Sequence, residues 1–170
     1  MVNTSLFSRA GIKNKLFLIA LVSALFLSAL KTPAKTPRPE IIYPAVKWVL
    51  DGDTIIVEGG ERVRYAGIDT PEEGEPFYKE AKKRNIGLVR GGRVMLEVCG
   101  EKPRDKYGRL LAWVYADGVD VSEVLLKEGL ARVLPIPPCG LKKLKEYKSF
   151  QKEAVSQGRG IWGLKKERQR

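Results

Sequence analysis

Between Ala45 and Tyr115 the chain keeps interrupting itself. Short β-branched and apolar runs, Trp48-Val49-Leu50, Thr54-Ile55-Ile56-Val57, Arg62-Val63-Arg64-Tyr65, Val94-Met95-Leu96-Glu97-Val98 and Leu110 to Tyr115, are cut by Asp-Gly-Asp, Gly-Gly, Pro and Asp-Gly. Runs of that length bounded by turn residues are strands, and Gly59-Gly60 is a hairpin signal. Alternation in 62–65 puts Arg62 and Arg64 on one face of a strand and Val63 and Tyr65 on the other. Pro71 ends that strand, because it has no amide to give a ladder. Helical spacing then takes over: 77–89 carries Phe77, Ala81, Leu88 and Val89 on one side, Asp120 caps a short helix at 121–128 that Gly129 stops, and a last helix runs from 141 to 157 until Gly158. Strands first and helices last argue an α+β domain built on a small barrel.

Ahead of this body lies a different kind of segment. Residues 16–30 are uncharged and apolar behind Arg9, Lys13 and Lys15. As a helix that run spans only about 22 Å, short for a bilayer core of about 30 Å and suited to a signal h-region. Residues 1–30 are therefore expected to be a signal peptide or membrane anchor, which places the domain outside the cytoplasm, secreted or membrane-attached. Pro33, Pro37, Pro39 and Pro44 make 31–44 a spacer. The domain is expected over 45–163, as a monomer, with a basic tail at 164–170.

Net charge says little about partners. Of the total +11, the first 38 residues contribute +6 and residues 165–170 contribute +3, leaving +2 for 39–164. A polyanion would have to be recognised by placed arginines rather than bulk charge.

Three segments supply such placement: Asp51-Gly52-Asp53-Thr54, then Arg64 with Ile68-Asp69-Thr70-Pro71-Glu72, then Asp105-Lys106-Tyr107-Gly108-Arg109. Carboxylate oxygens suit hard cations such as Ca²⁺ or Mg²⁺, and guanidinium forks suit phosphate. The chain contains no histidine, so a water-activating base has to be a carboxylate. An EF-hand is excluded, because Ile55 and Ile56 stand where a third acid and a glycine are needed. Asp51 reads as a turn former. Asp53 and Asp69 can converge on one cation, Glu72 lies just past a turn from Asp69, and Arg64 and Arg109 can each give two hydrogen bonds to a phosphate.

These segments, in this order, with Glu80-Ala81, Gly129-Leu130-Ala131 and Gly158-Arg159-Gly160-Ile161-Trp162-Gly163, resemble the staphylococcal nuclease family over about 45–163. The resemblance implies a five-stranded OB-fold barrel with three helices and Ca²⁺-dependent hydrolysis of DNA and RNA. By position it implies Asp53, Asp69 and the Thr70 carbonyl as metal ligands, Glu72 as general base, Arg64 and Arg109 on the phosphate, and Lys106 and Tyr107 beside it. Two departures stand out. The segment after Glu72 is shorter than in the best-known members, and Pro135-Ile136-Pro137 replaces nucleotide-contacting tyrosines. Two non-catalytic alternatives on the same fold are a single-stranded nucleic-acid binder and a protein-interaction domain. In the implied fold Cys99 and Cys139 can be neighbours, and a bond between them suits an exported domain; two unbonded thiols are the alternative.

Overall fold

The computed structural model describes residues 39–100, 103–137 and 139–164. The apolar run at 16–30 and residues 165–170 of the tail lie outside them. The described strands are β1 (Ile41–Ile42), β2 (Val46–Val49), β3 (Thr54–Val57), β4 (Arg62–Tyr65), β5 (Ile68–Asp69), β6 (Met95–Val98), β7 (Leu110–Ala116), β8 (Val119–Asp120) and β9 (Arg132–Val133). The helices are α1 (Tyr78–Val89), α2 (Val121–Lys127), the single turn α3 (Cys139–Lys142) and α4 (Leu144–Gln157).

The main sheet runs β1-β6-β7-β4-β3-β2, with β8 added to β7, while β5 and β9 form a separate pair. All of its ladders are antiparallel except β4 with β7. The expected closed five-stranded barrel is therefore corrected to an open path of more and shorter strands. Its two ends, β1 and β2, are consecutive in the chain but not paired with each other. Between them Ala45 bridges Arg93 and the Pro44 carbonyl accepts from Val94 N–H, so chain continuity, rather than a ladder, joins the ends. The sheet also starts earlier than the expected linker boundary. Ile41 and Ile42 pair with Glu97 and Leu96, because two β-branched residues between Pro39 and Pro44 form a strand short enough to fit between the prolines.

Gly59 and Gly60 make the β3–β4 turn at φ of 82° and 83°, a conformation that costs glycine nothing. Asp120 caps α2 by accepting from the Ser122 and Glu123 amides, and Leu125 and Leu126 of that helix are fully buried against the sheet. Two helices differ from expectation at their ends. Phe77 stands left-handed at φ 71°, so α1 begins one residue later, at Tyr78. The last helix is broken at Lys143, whose backbone (φ −104°, ψ 14°) leaves the helical region while its Nζ reaches Asp120 Oδ2 at 2.6 Å and Tyr115 Oη at 2.7 Å.

One core serves all these elements. Ile55, Val63, Tyr65, Leu96, Val114, Leu125 and Tyr147 are its larger members. Cys99 and Cys139 form a disulfide with Cα atoms 5.7 Å apart, tying the end of β6 to α3.

Candidate active site

Where β2 hands over to β3, Asp51 and Asp53 make a tight corner. The Asp53 amide donates to Asp51 Oδ1 at 2.9 Å, so the first carboxylate shapes the turn and leaves the second to point inward. Gly52 between them has no alternative, since a Cβ there would fall 2.7 Å from the Thr70 side chain. The corner is held from behind by α1. Asn85, completely buried, donates from Nδ2 to the Asp51 carbonyl at 3.0 Å, and its Oδ1 accepts from Tyr65 Oη at 2.8 Å.

Asp53, Arg64, Asp69 and Thr70 form one cluster. Asp53 is 5% exposed. Its Oδ2 accepts from the Thr70 amide at 2.7 Å and the Thr70 hydroxyl at 3.0 Å, and its Oδ1 lies 3.2 Å from Arg64 Nε. Arg64 also donates from Nη2 to Asp69 Oδ1 at 2.8 Å and from Nη1 to the carbonyls of Tyr65 and Ile68 at 2.9 and 2.8 Å. Arg64, which alternation sets on the strand face opposite Val63 and Tyr65, is itself buried. Three of its five N–H groups donate hydrogen bonds within the protein, and Nε sits in the ion pair with Asp53. Burial pushes the Asp53 carboxyl up to about 6, against the pull of Arg64 and Thr70 and with a push from Asp51.

The third segment is a turn closed on itself. Asp105 accepts from the Tyr107 and Arg109 amides at 2.9 and 3.0 Å and from Arg109 Nε at 2.7 Å. Burial alone would raise the Asp105 carboxyl, but those bonds outweigh it and hold it below the usual range. Because Asp105 grips only the Nε side, the two terminal nitrogens of Arg109 have no protein partner among the described residues. The Arg109 guanidinium and Lys106 Nζ lie 5.3 and 4.9 Å from the centroid of the exposed Tyr107 ring.

The parallel register of β4 and β7, Val63 to Leu110 and Arg64 to Leu111, sets the start of β7 beside the middle of β4. In consequence Arg64, Asp105 and Arg109 line one recess, whose far wall is Leu134 and Ile136. Leu134 is anchored there by its amide on the Gly67 carbonyl at 2.9 Å. Glu72 is exposed in the loop leading to α1, its amide donating to Glu75 Oε2 at 2.8 Å.

Among the described residues no group of three or more acids, cysteines or histidines is gathered on one point. The available donors are two carboxylates, Asp53 and Asp69, bridged by one guanidinium, beside the Thr70 backbone. That all-oxygen set fits a hard cation that keeps water or substrate oxygens in its remaining positions. The raised Asp53 carboxyl points the same way, since its burial is only partly compensated by Arg64.

A family model described as staphylococcal nuclease homologue matches residues 62–163. The chain is 40% identical over 126 residues to a thermonuclease of Staphylococcus intermedius, covering 69% of this chain and 74% of that protein. The chain belongs to the staphylococcal nuclease family. It is also 39% identical over 140 residues to the endonuclease YncB of Bacillus subtilis (strain 168), covering 77% of this chain and 66% of that protein. The SPbeta prophage-derived endonuclease YokF of the same strain is 42% identical over 132 residues, 72% of this chain but 45% of that protein. The chain thus spans about two thirds of YncB and under half of YokF.

In this member of the staphylococcal nuclease family Asn85 escaped the sequence reading, and Asp105 stood in a motif there without a role. Asn85 gave one signal, a polar residue on the apolar side of α1 between Ala81 and Val89. Asp105 gave another, an acid four residues before Arg109, the spacing of the ion pair it makes.

Proposed function

We propose that this protein is a Ca²⁺-dependent nuclease that hydrolyses phosphodiester bonds of DNA and RNA. The observation carrying the proposal is the common recess of Arg64 and Arg109, with Asp53 and Asp69 hydrogen-bonded or ion-paired to the first of them. Asp53, Asp69 and the Thr70 carbonyl would hold the cation, which when bound supplies charge neutralisation at a phosphoryl oxygen. Everything else falls to this chain's own groups. Glu72 takes the proton of the attacking water, and the bond from phosphorus to the leaving oxygen breaks as the new one forms. Arg109, fixed by Asp105 and open at its terminal nitrogens, donates to the non-bridging oxygens as their charge grows. Arg64 adds its remaining N–H and holds Asp53 and Asp69 in place. Lys106 and Tyr107 flank the nucleotide's phosphate.

The same proposal sets the domain outside the cytoplasm as a monomer, exported by its apolar leader. The Cys99–Cys139 disulfide supports an oxidising compartment.

The test is cleavage of plasmid DNA and of RNA by the purified protein with Ca²⁺, Mg²⁺ or a chelator, beside Glu72→Gln. The proposal expects degradation of both with Ca²⁺, none with the chelator, and a loss of at least about 100-fold in the variant. Chelator-resistant cleavage, or full activity in Glu72→Gln, contradicts it.

A further inference from the structure

Away from the recess, β2 and α1 enclose a groove of about 420 Å³. A register shift between Val46 and Trp48, paired to Val57 and Ile56, turns both Lys47 and Trp48 outward, which a regular strand would not do. Trp48 is 67% exposed. On the opposite wall Lys82, Ile86 and Arg90 recur every fourth residue and so share one stripe of α1. The lining thus holds an exposed indole, an exposed isoleucine and three cations, and it includes no carboxylate. Lys47, Lys82 and Arg90 make no ion pair among the described residues; Lys82 only approaches the Tyr78 ring, at 5.9 Å. The groove's walls belong to the same two elements that hold the corner, for Asp51 follows Trp48 by three residues and Ile86 follows Asn85, which holds the Asp51 carbonyl.

We propose that this groove is a second nucleic-acid subsite, taking a single-stranded stretch of the substrate beyond the scissile phosphate. One base stacks on Trp48, and Lys47, Lys82 and Arg90 meet the phosphates on either side. An aromatic platform among unpaired cations is what sequence-tolerant single-strand binding requires. An anionic membrane would also be drawn to the cations, but a concave slot with a single exposed indole suits a planar base better than a lipid surface. The inference deepens the nuclease reading and rests on it.

The experiment measures binding of labelled oligothymidylates of three and twelve nucleotides to the full chain in chelator, by fluorescence anisotropy. Cleavage of the trimer with Ca²⁺ is followed in parallel. Trp48→Ala is expected to bind the twelve-mer about tenfold more weakly, with trimer binding and cleavage unchanged; Trp48→Phe restores the affinity. Lys82→Gln with Arg90→Gln is expected to flatten the dependence of log affinity on log salt by about 0.7 per cation removed. Twelve-mer binding equal to wild type in both variants, with cleavage normal, overturns the groove alone. So does a defect of these variants confined to phosphatidylglycerol vesicles, whose binding is followed by co-sedimentation beside the oligomers. Failure of the wild type to bind the twelve-mer overturns the groove, whereas failure to cleave the trimer with Ca²⁺ overturns the nuclease reading on which it rests.

Discussion

Arg64 shows how much one side chain can be asked to do. Its guanidinium bridges two carboxylates and two backbone carbonyls at the edge of the recess. A lysine has three donors radiating from one point and cannot span Asp53 and Asp69 together. Arg64→Lys should therefore lose roughly 100-fold or more in kcat despite keeping its charge; near-normal turnover would remove the bridging argument. Asp53 makes a second prediction. An acid raised from 3.8 to about 6 binds its proton more tightly folded than unfolded. Its contribution favours the fold below the unfolded value and is lost as pH climbs through 4 to 6. Asp53→Asn should accordingly raise the Tm of the cation-free protein at pH 7 and abolish any further rise on adding Ca²⁺. A lower Tm in chelator would show that the burial cost is smaller than the bonds lost. Behind the corner, Asn85→Ala would leave the Asp51 carbonyl and the Tyr65 hydroxyl without their buried partner, costing about 1–3 kcal/mol. Urea unfolding measures that cost directly.

At the scale of elements, local chemistry was readable and long-range pairing was not. The Asp120 cap, the Gly129 stop, the Gly59-Gly60 turn and the left-handed Gly158 all stand where residue type put them, because each is settled within four or five residues. The break at Lys143 depends on Asp120 and Tyr115, which lie more than twenty positions away. The parallel pairing of β4 with β7, which brings Arg109 to Arg64, joins residues 47 positions apart, a gap that no local pattern records. Alternation sets Arg64 opposite Val63 and Tyr65 without telling which face is buried, and the carbonyls of Tyr65 and Ile68 are partners it meets inside. The three site segments were legible as types and spacing, whereas how Arg64 divides its hydrogen bonds was not. Gly129 illustrates a stop signal with a second duty. It sits at φ 70°, and a Cβ there would lie 2.2 Å from the Arg159 carbonyl oxygen. Gly129→Ala, just past the end of α2, is expected to destabilise by at least the roughly 1–3 kcal/mol typical of such backbone strain. Thermal unfolding within a degree or two of wild type would contradict the close approach.

Among the described residues one disulfide links the sheet to the helical part, and Leu134, Ile136 and Cys139 wall the recess nearby. The bond closes a loop of 40 residues, worth roughly 4 kcal/mol in the chain-entropy model. Reduction, or Cys99→Ser with Cys139→Ser, should lower stability by an amount of that order. Activity at low temperature should persist, since no metal or phosphate group depends on the sulfurs; an unchanged Tm would mean the packing around α3 already holds the loop. The proposed cation, by contrast, would join the corner before β3 to the end of β5, at the buried Asp53 carboxylate. The direct measurement is a calorimetric titration of Ca²⁺ into the protein with a nucleotide present, repeated with Asp53→Asn. Saturable binding of one ion per chain, lost in the variant, is the predicted result; no binding heat in the wild type, or the same isotherm in both proteins, would contradict it.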